Sequence, residues 1–180
     1  MTPTVFMQQP AILDLISGMA EQLQSIIRER QLINPVMIGI HTGGVWVADH
    51  LHKKLGLADE LGTLNISFYR DDFSRIGLNP RVKPSNIPFD IEDRPVILVD
   101  DVLQTGRTIR AAMNEIFDFG RPSAIILAVL VNKTGRELPV QADVTGMTPT
   151  LKPNDYLFLR GPEPLEMQLG QKTASSGNND

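Results

Sequence analysis

The chain has 180 residues, with 17 Lys plus Arg against 21 Asp plus Glu and a formal net charge of −4 at pH 7. Its length fits one domain, and its 42% hydrophobic and 21% charged fractions exclude a chain disordered throughout. Cysteine is absent and the only histidines are His41, His50 and His52, which excludes a disulfide scaffold, a thiolate zinc site and a cysteine nucleophile and leaves little for a histidine-rich metal centre.

Ile12, Ile16, Met19, Leu23, Ile26 and Ile27 recur at helical spacing, and Pro10 falls where a first-turn proline is tolerated. Asp14, Glu21, Gln22 and Arg28 form the solvated side of this helix. Beyond Pro35, residues 36–40 are a short apolar run that reads as a buried strand, broken by His41-Thr42-Gly43-Gly44. Val45, Ala48, Leu51 and Leu55 then resume the helical period. Residues 63–69 alternate apolar with small polar side chains and predict a second strand. Residues 70–94 hold no period and carry Pro80, Pro84 and Pro88; a connection of that length is expected to be a lid, a binding loop or a disordered segment.

Residues 96–99 are a third, wholly apolar strand that ends on Asp100-Asp101. Ile109, Ala112, Met113, Ile116 and Phe117 predict the next amphipathic helix, closed by Gly120, and residues 124–131 a fourth strand. Strands apolar on both faces, alternating with amphipathic helices, imply an α/β fold with a mainly parallel sheet flanked by helices on both faces. Short strands are expected at 140–145 and 156–160, and residues 161–180 read as a polar tail, partly disordered. No apolar stretch approaches the ~20 residues needed to span a bilayer. The expected address is the cytoplasm, with no membrane partner.

The densest chemical signal is the run 96–108. A buried strand delivers two carboxylates to its C-terminal end, where ligands of parallel sheets bind. Val102, Leu103, Gln104, Thr105, Gly106, Arg107 and Thr108 follow as a short loop opening a helix. Helix N-termini offer unpaired N–H groups, Gly106 permits close approach to an anion, Thr105 and Thr108 add hydroxyl donors and Arg107 adds charge. Two other readings of a strand ending in Asp-Asp are a simple helix cap and a Walker B strand. The latter lacks its partner, because no G-x-x-x-x-G-K-[ST] occurs in the chain, and the absence of any G-x-G excludes a dinucleotide fingerprint.

The run 96–108 resembles the phosphoribosyl-pyrophosphate (PRPP) motif of the type I phosphoribosyltransferases. From about residue 8 to 160 the chain resembles the subfamily whose members act as uracil phosphoribosyltransferases and as regulators of pyrimidine operons. That wider likeness rests on 38–44, on Tyr69-Arg70-Asp71-Asp72-Phe73-Ser74, on Gly120-Arg121-Pro122-Ser123 and on Arg136-Glu137-Leu138-Pro139. It implies one phosphoribosyltransferase domain over 1–160, with a lid at about 70–94 and a small C-terminal hood at about 132–160. It also implies PRPP and uracil as substrates, UMP and pyrophosphate as products, Mg²⁺ as cofactor, and a homodimer or homotetramer.

By the same resemblance, Asp100 and Asp101 hold the ribose hydroxyls, directly or through Mg²⁺, and residues 102–108 bind the 5′-phosphate. Thr42 and Gly43 meet the pyrophosphate. Arg70, Arg75, Arg81 and Lys83 neutralise it from the lid, with Arg70 counted among the catalytic groups beside the acidic pair. Arg136 contacts the base from the hood. Two departures qualify the likeness. Gln104 stands where purine-specific members often carry a carboxylate, so no general base is evident. Thr42-Gly43-Gly44 stands where the better-known regulators carry Thr-Arg-Gly.

Messenger RNA is a further partner that the resemblance implies. Charge weighs against it: residues 69–110 hold seven basic and seven acidic side chains, and the remainder ten against fourteen. A transferase is therefore the leading expectation, with an RNA-binding regulator as the alternative and a non-catalytic sensor of UMP or PRPP as the third reading.

Overall fold

The computed structural model describes residues 3–66 and 84–171. Arg70, Arg75, Arg81 and Lys83, with most of the expected lid, lie outside them.

After a short strand β1 (Thr4–Gln8), helix α1 (Gln9–Glu29) carries Pro10 in its first turn and buries Ile12, Ile16, Met19, Ala20 and Leu23 along one stripe. Strand β2 (Val36–Ile40) is buried throughout and feeds α2 (Gly43–Leu55), which ends on Gly56 in the left-handed conformation. Then come β3 (Gly62–Leu64), β4 (Pro95–Leu103), α3 (Arg107–Phe119), β5 (Ala124–Asn132) and β6 (Val144–Met147).

These five strands form one parallel sheet in the order β3-β2-β4-β5-β6. The chain leaves β2 toward β3 on one side and returns to β4 on the other, so the direction of winding reverses between β2 and β4. A crevice opens at the carboxyl ends of strands at such a point. Side chains alternate across the sheet with the strand period of two. Met37, Ile97, Val99, Ile126 and Ala128 face α1 and α2, whereas Val36, Ile38, Val96, Leu98, Leu127 and Val129 pack with Ile109, Ala112 and Ile116 of α3. Both faces are therefore dry, which accounts for strands that read as continuous apolar runs.

A second, antiparallel sheet of order β1-β8-β7 lies on the α1/α2 side, built from β1, β7 (Asp155–Arg160) and β8 (Glu166–Gln171). Two expectations are corrected here. The hood-like layer does not stop at 160, and residues 161–171 are not a polar tail: β8 is the central strand, with Leu165 and Met167 buried in the core. The layer also borrows β1 from the N-terminus, which had no strand signal because Thr4, Val5, Phe6 and Gln8 are all exposed. The strand expected at 140–145 begins at Val144 instead, since Asp143 ties itself to Leu127 through main-chain and carboxylate bonds of 2.9 and 3.0 Å. The strand expected over 63–69 is confined to β3 among the described residues. Among the described residues no helix is long and apolar enough to cross a membrane.

Candidate active site

Strand β4 lies at the centre of the sheet, and its apolar run carries Asp100 and Asp101 to the crevice. Asp100 is 2% exposed and Asp101 half-buried. The Asp101 N–H donates to Asp100 Oδ1 at 3.0 Å, which fixes one carboxylate against the main chain of the other.

The end of β2 and the start of α2 form the first wall. The His41–Thr42 peptide is cis. Gly43 and Gly44 pack closely on the end of β4: a Cβ on Gly43 would fall 2.3 Å from Asp101 Oδ2, so the carboxylate would have to turn aside, and one on Gly44 would fall 2.7 Å from the Val99 carbonyl. The first turn of α2 thus rests on the acidic pair, with no acidic residue in that turn and no side-chain cap on its N–H groups.

The loop 104–106 and the start of α3 form the other wall. Gly106 caps α3 with φ +92°, a conformation that favours glycine, so its cap position carries no side chain, and α3 too has no acidic first turn. The Arg107 N–H donates to Thr105 Oγ1 at 3.2 Å. The segment after β5 wraps behind this loop: Lys133 N–H donates to Leu103 O at 2.8 Å, and Glu137 and Leu138 N–H both donate to Thr105 O at 3.0 Å. Arg107 Nε reaches Glu137 Oε2 at 2.8 Å, an exposed pair worth little by itself.

The structure thus brings together Thr42, Gly43, Asp100, Asp101 and residues 102–108. Arg136, expected to contact the base, donates into the phosphate loop. Its Nη1 donates to the Gln104 carbonyl and its Nη2 to Asn132 Oδ1 at 2.6 Å. Burial pulls its pKa below the ordinary arginine value; guanidinium nevertheless keeps its charge at neutral pH. Sequence reasoning missed Asn132 and Lys133. Lys133 is buried and donates from Nζ to the Asp155 carbonyl at 2.5 Å, tying the end of β5 to β7. A lysine directly after an apolar strand was the available signal.

Chemically, two carboxylates lie between two helix N-termini. Carboxylates accept from a vicinal diol, while uncapped N–H groups and the positive ends of the helix dipoles take anions on either side. A sugar with a phosphate at each end matches that order. Among the described residues no group of three or more His, Asp or Glu side chains can hold an ion unaided. The Asp100/Asp101 pair fits a hard cation that takes most of its ligands from substrate and water, as Mg²⁺ does.

An open depression of about 540 Å³ at the opposite end of the sheet, lined by Asn34, Pro35, Gly56, Leu57, Asp59 and Arg94, is unrelated to this chemistry. Arg94 is spent there on Asn34 O, Asp90 O and Asp59 Oδ2, a structural clamp rather than a binding group.

The comparisons agree with the geometry. A protein called Bifunctional protein PyrR from Nitrosococcus oceani is 54% identical over 157 residues, covering 86% of this chain and 89% of its own. The one from Pseudomonas paraeruginosa is 49% identical over 162 residues, covering 90% and 95%. Among solved structures, the hypoxanthine phosphoribosyltransferase of Trypanosoma cruzi superposes with a TM-score of 0.65 at 20% identity, over 86% of this chain and 84% of that one, and shares the fold. A purine phosphoribosyltransferase from Pyrococcus horikoshii gives 0.58 at 26% identity, over 81% and 87%. The family model of the phosphoribosyl transferase domain matches residues 6–165, and the chain belongs to that family.

Proposed function

We propose that this phosphoribosyltransferase makes UMP, transferring the ribose 5-phosphate of PRPP to N1 of uracil with release of pyrophosphate. The observation that carries the reading is the acidic pair held between the N-termini of α2 and α3 at the winding reversal of the sheet. The choice of uracil draws its support from relatives named Bifunctional protein PyrR and from the subfamily likeness of the Arg136–Pro139 block.

In this reaction N1 of uracil forms a bond to C1 of the ribose. The bond from C1 to the pyrophosphate oxygen breaks, its electron pair leaves with pyrophosphate, and the N1 proton passes to solvent or to the leaving group. Positive charge grows on the ribose and negative charge on pyrophosphate, so positioning and electrostatics supply most of the catalysis. Asp100 and Asp101 accept from the ribose hydroxyls and favour the cationic sugar. The loop and helix start over 102–108, led by the main-chain N–H groups of 104–106, take the 5′-phosphate, and the start of α2 at Thr42 and Gly43 takes the pyrophosphate. Asp100 and Asp101 would hold Mg²⁺ directly or through ribose and water, and the chemistry the ion supplies when bound is neutralisation of the leaving pyrophosphate. Arg70, Arg81 and Lys83 are assigned to pyrophosphate as part of this proposal. Gln104 cannot take up a proton, so no residue is assigned as general base.

The test is whether uracil, offered beside guanine and hypoxanthine, is the base converted. A second reading, RNA-binding regulation of pyrimidine genes, is favoured by the word bifunctional in the relatives' name. Arg30 and Lys53, two of the basic side chains available to such a surface, are already paired with Asp143 and Asp49. Binding to an operon leader no tighter than to scrambled RNA at physiological salt would remove this reading. The assembly proposed is a homodimer or homotetramer, measurable by sedimentation.

A further inference from the structure

Three consecutive main-chain carbonyls, those of Leu103, Gln104 and Thr105, are all engaged by the segment that follows β5. Lys133 N–H takes the first, the Arg136 guanidinium the second, and Glu137 and Leu138 N–H share the third. In a trans peptide the carbonyl of one residue and the N–H of the next point in opposite directions from one plane. Tying the carbonyls of 103, 104 and 105 to the outer segment therefore turns the N–H groups of 104, 105 and 106 away from it, toward the site.

Two of these three carbonyls are held by main-chain donors, which any residue supplies. The middle one alone depends on a side chain. Arg136 is fixed for that task by its second nitrogen on Asn132 Oδ1 at 2.6 Å, at the end of β5. The same segment closes over the loop, with Leu138 Cβ and Val140 Cβ 3.4 and 3.3 Å from where a Cβ of Gly106 would stand. A charge-assisted bond is about twice as strong as a neutral one, and its cation sits behind a loop shaped for an anion.

We propose that Arg136 is a positioning residue for the phosphate end of the substrate: by clamping the Gln104 carbonyl, it presents the N–H groups of 104–106 to a sugar phosphate monoester. The proposal rests on the phosphoribosyltransferase reading of the site and gives Arg136 the opposite end of the substrate from the base.

The test is direct binding of ribose 5-phosphate, which needs neither turnover nor the right base, on wild type, Arg136→Gln, Arg136→Lys and Asn132→Ala. Arg136→Gln is expected to weaken ribose 5-phosphate by about tenfold or more. Arg136→Lys, a single point donor that cannot bridge both partners, should fall between, and Asn132→Ala should lose less than Arg136→Gln. In turnover, KM for PRPP should rise in the same order while KM for uracil moves less than about twofold. Adding guanidinium ion at millimolar concentration to an Arg136→Ala variant should restore part of the lost affinity, an effect that a merely structural role would not give. A rise in KM for uracil with unchanged ribose 5-phosphate binding would overturn the proposal and return Arg136 to the base. Equal binding of ribose 5-phosphate by wild type and Arg136→Gln would also overturn it. Weakened binding in the variant together with failure to use uracil would leave Arg136 in this role and overturn the choice of uracil instead. Wild-type protein that binds no ribose 5-phosphate would overturn both.

Discussion

Gly43 lies against Asp101 so closely that a Cβ on the glycine would fall 2.3 Å from Oδ2 and 2.6 Å from Cγ of the aspartate. The start of α2 and the acidic end of β4 thus pack directly on one another, and a side chain added at Gly43 has to turn the Asp101 carboxylate aside. Gly43→Ala should cost about a hundredfold in kcat/KM for PRPP, the scale of a misplacement near 1 Å. Steady-state kinetics with a thermal melt for comparison measures this; wild-type kinetics would show that the contact is slack.

The acidic pair should divide its work. Asp100 is buried and accepts the Asp101 N–H, whereas Asp101 is more open to the crevice. Asp101→Asn is expected to lower kcat by at least about a hundredfold, the loss typical of an electrostatic group acting in the transition state. Asp100→Ala should lower both activity and melting temperature, since it leaves the Asp101 N–H without its acceptor.

Stability of the hood-like sheet should depend on β8. Met167 is fully buried in the core shared with α1 and α2, so Met167→Ala should cost about 2–5 kcal/mol in urea unfolding. A chain ending at Gly161 loses the central strand of that sheet and should fail to accumulate as folded protein. A chain ending at Gln171 retains all eleven elements of the described residues and should accumulate as folded protein.

The Arg94 guanidinium beside Asp59 holds its carboxyl below the usual carboxylate range. A depressed folded-state value gives stability that is complete above the unfolded pKa of about 3.9 and lost as pH falls through the lower folded value. The gap in stability between wild type and Asp59→Asn should therefore be constant near neutrality and close below about pH 4. A gap that widened on acidification would contradict the pairing.

Much of the site was legible because its signal is local. The short, largely β-branched apolar run 96–99 reads as a strand covered on both faces, and the two carboxylates, Gly106 and the amphipathic period after it specify what stands at its end. The contact of Gly43 with Asp101 left no such mark, since it depends on how closely α2 packs on β4. The bond from Arg136 to the phosphate loop has no sequence signal for a different reason: its acceptor is the main-chain carbonyl of Gln104, and a carbonyl is present whatever the residue type. Strand β1 was hidden because its side chains are mostly exposed and its order comes from pairing with β8. Strand β8 and the residue before it did carry an alternation, in Leu165, Met167 and Leu169, masked by the glycines, prolines and glutamines around it.

The central claim is tested most directly by incubating the protein with radiolabelled uracil, PRPP and Mg²⁺ and following UMP. The predicted result is UMP formed in equal amount with pyrophosphate and abolished in an Asp100→Asn, Asp101→Asn double variant, with less nucleotide and pyrophosphate formed when guanine or hypoxanthine replaces uracil. UMP no higher than the background of that double variant would contradict it.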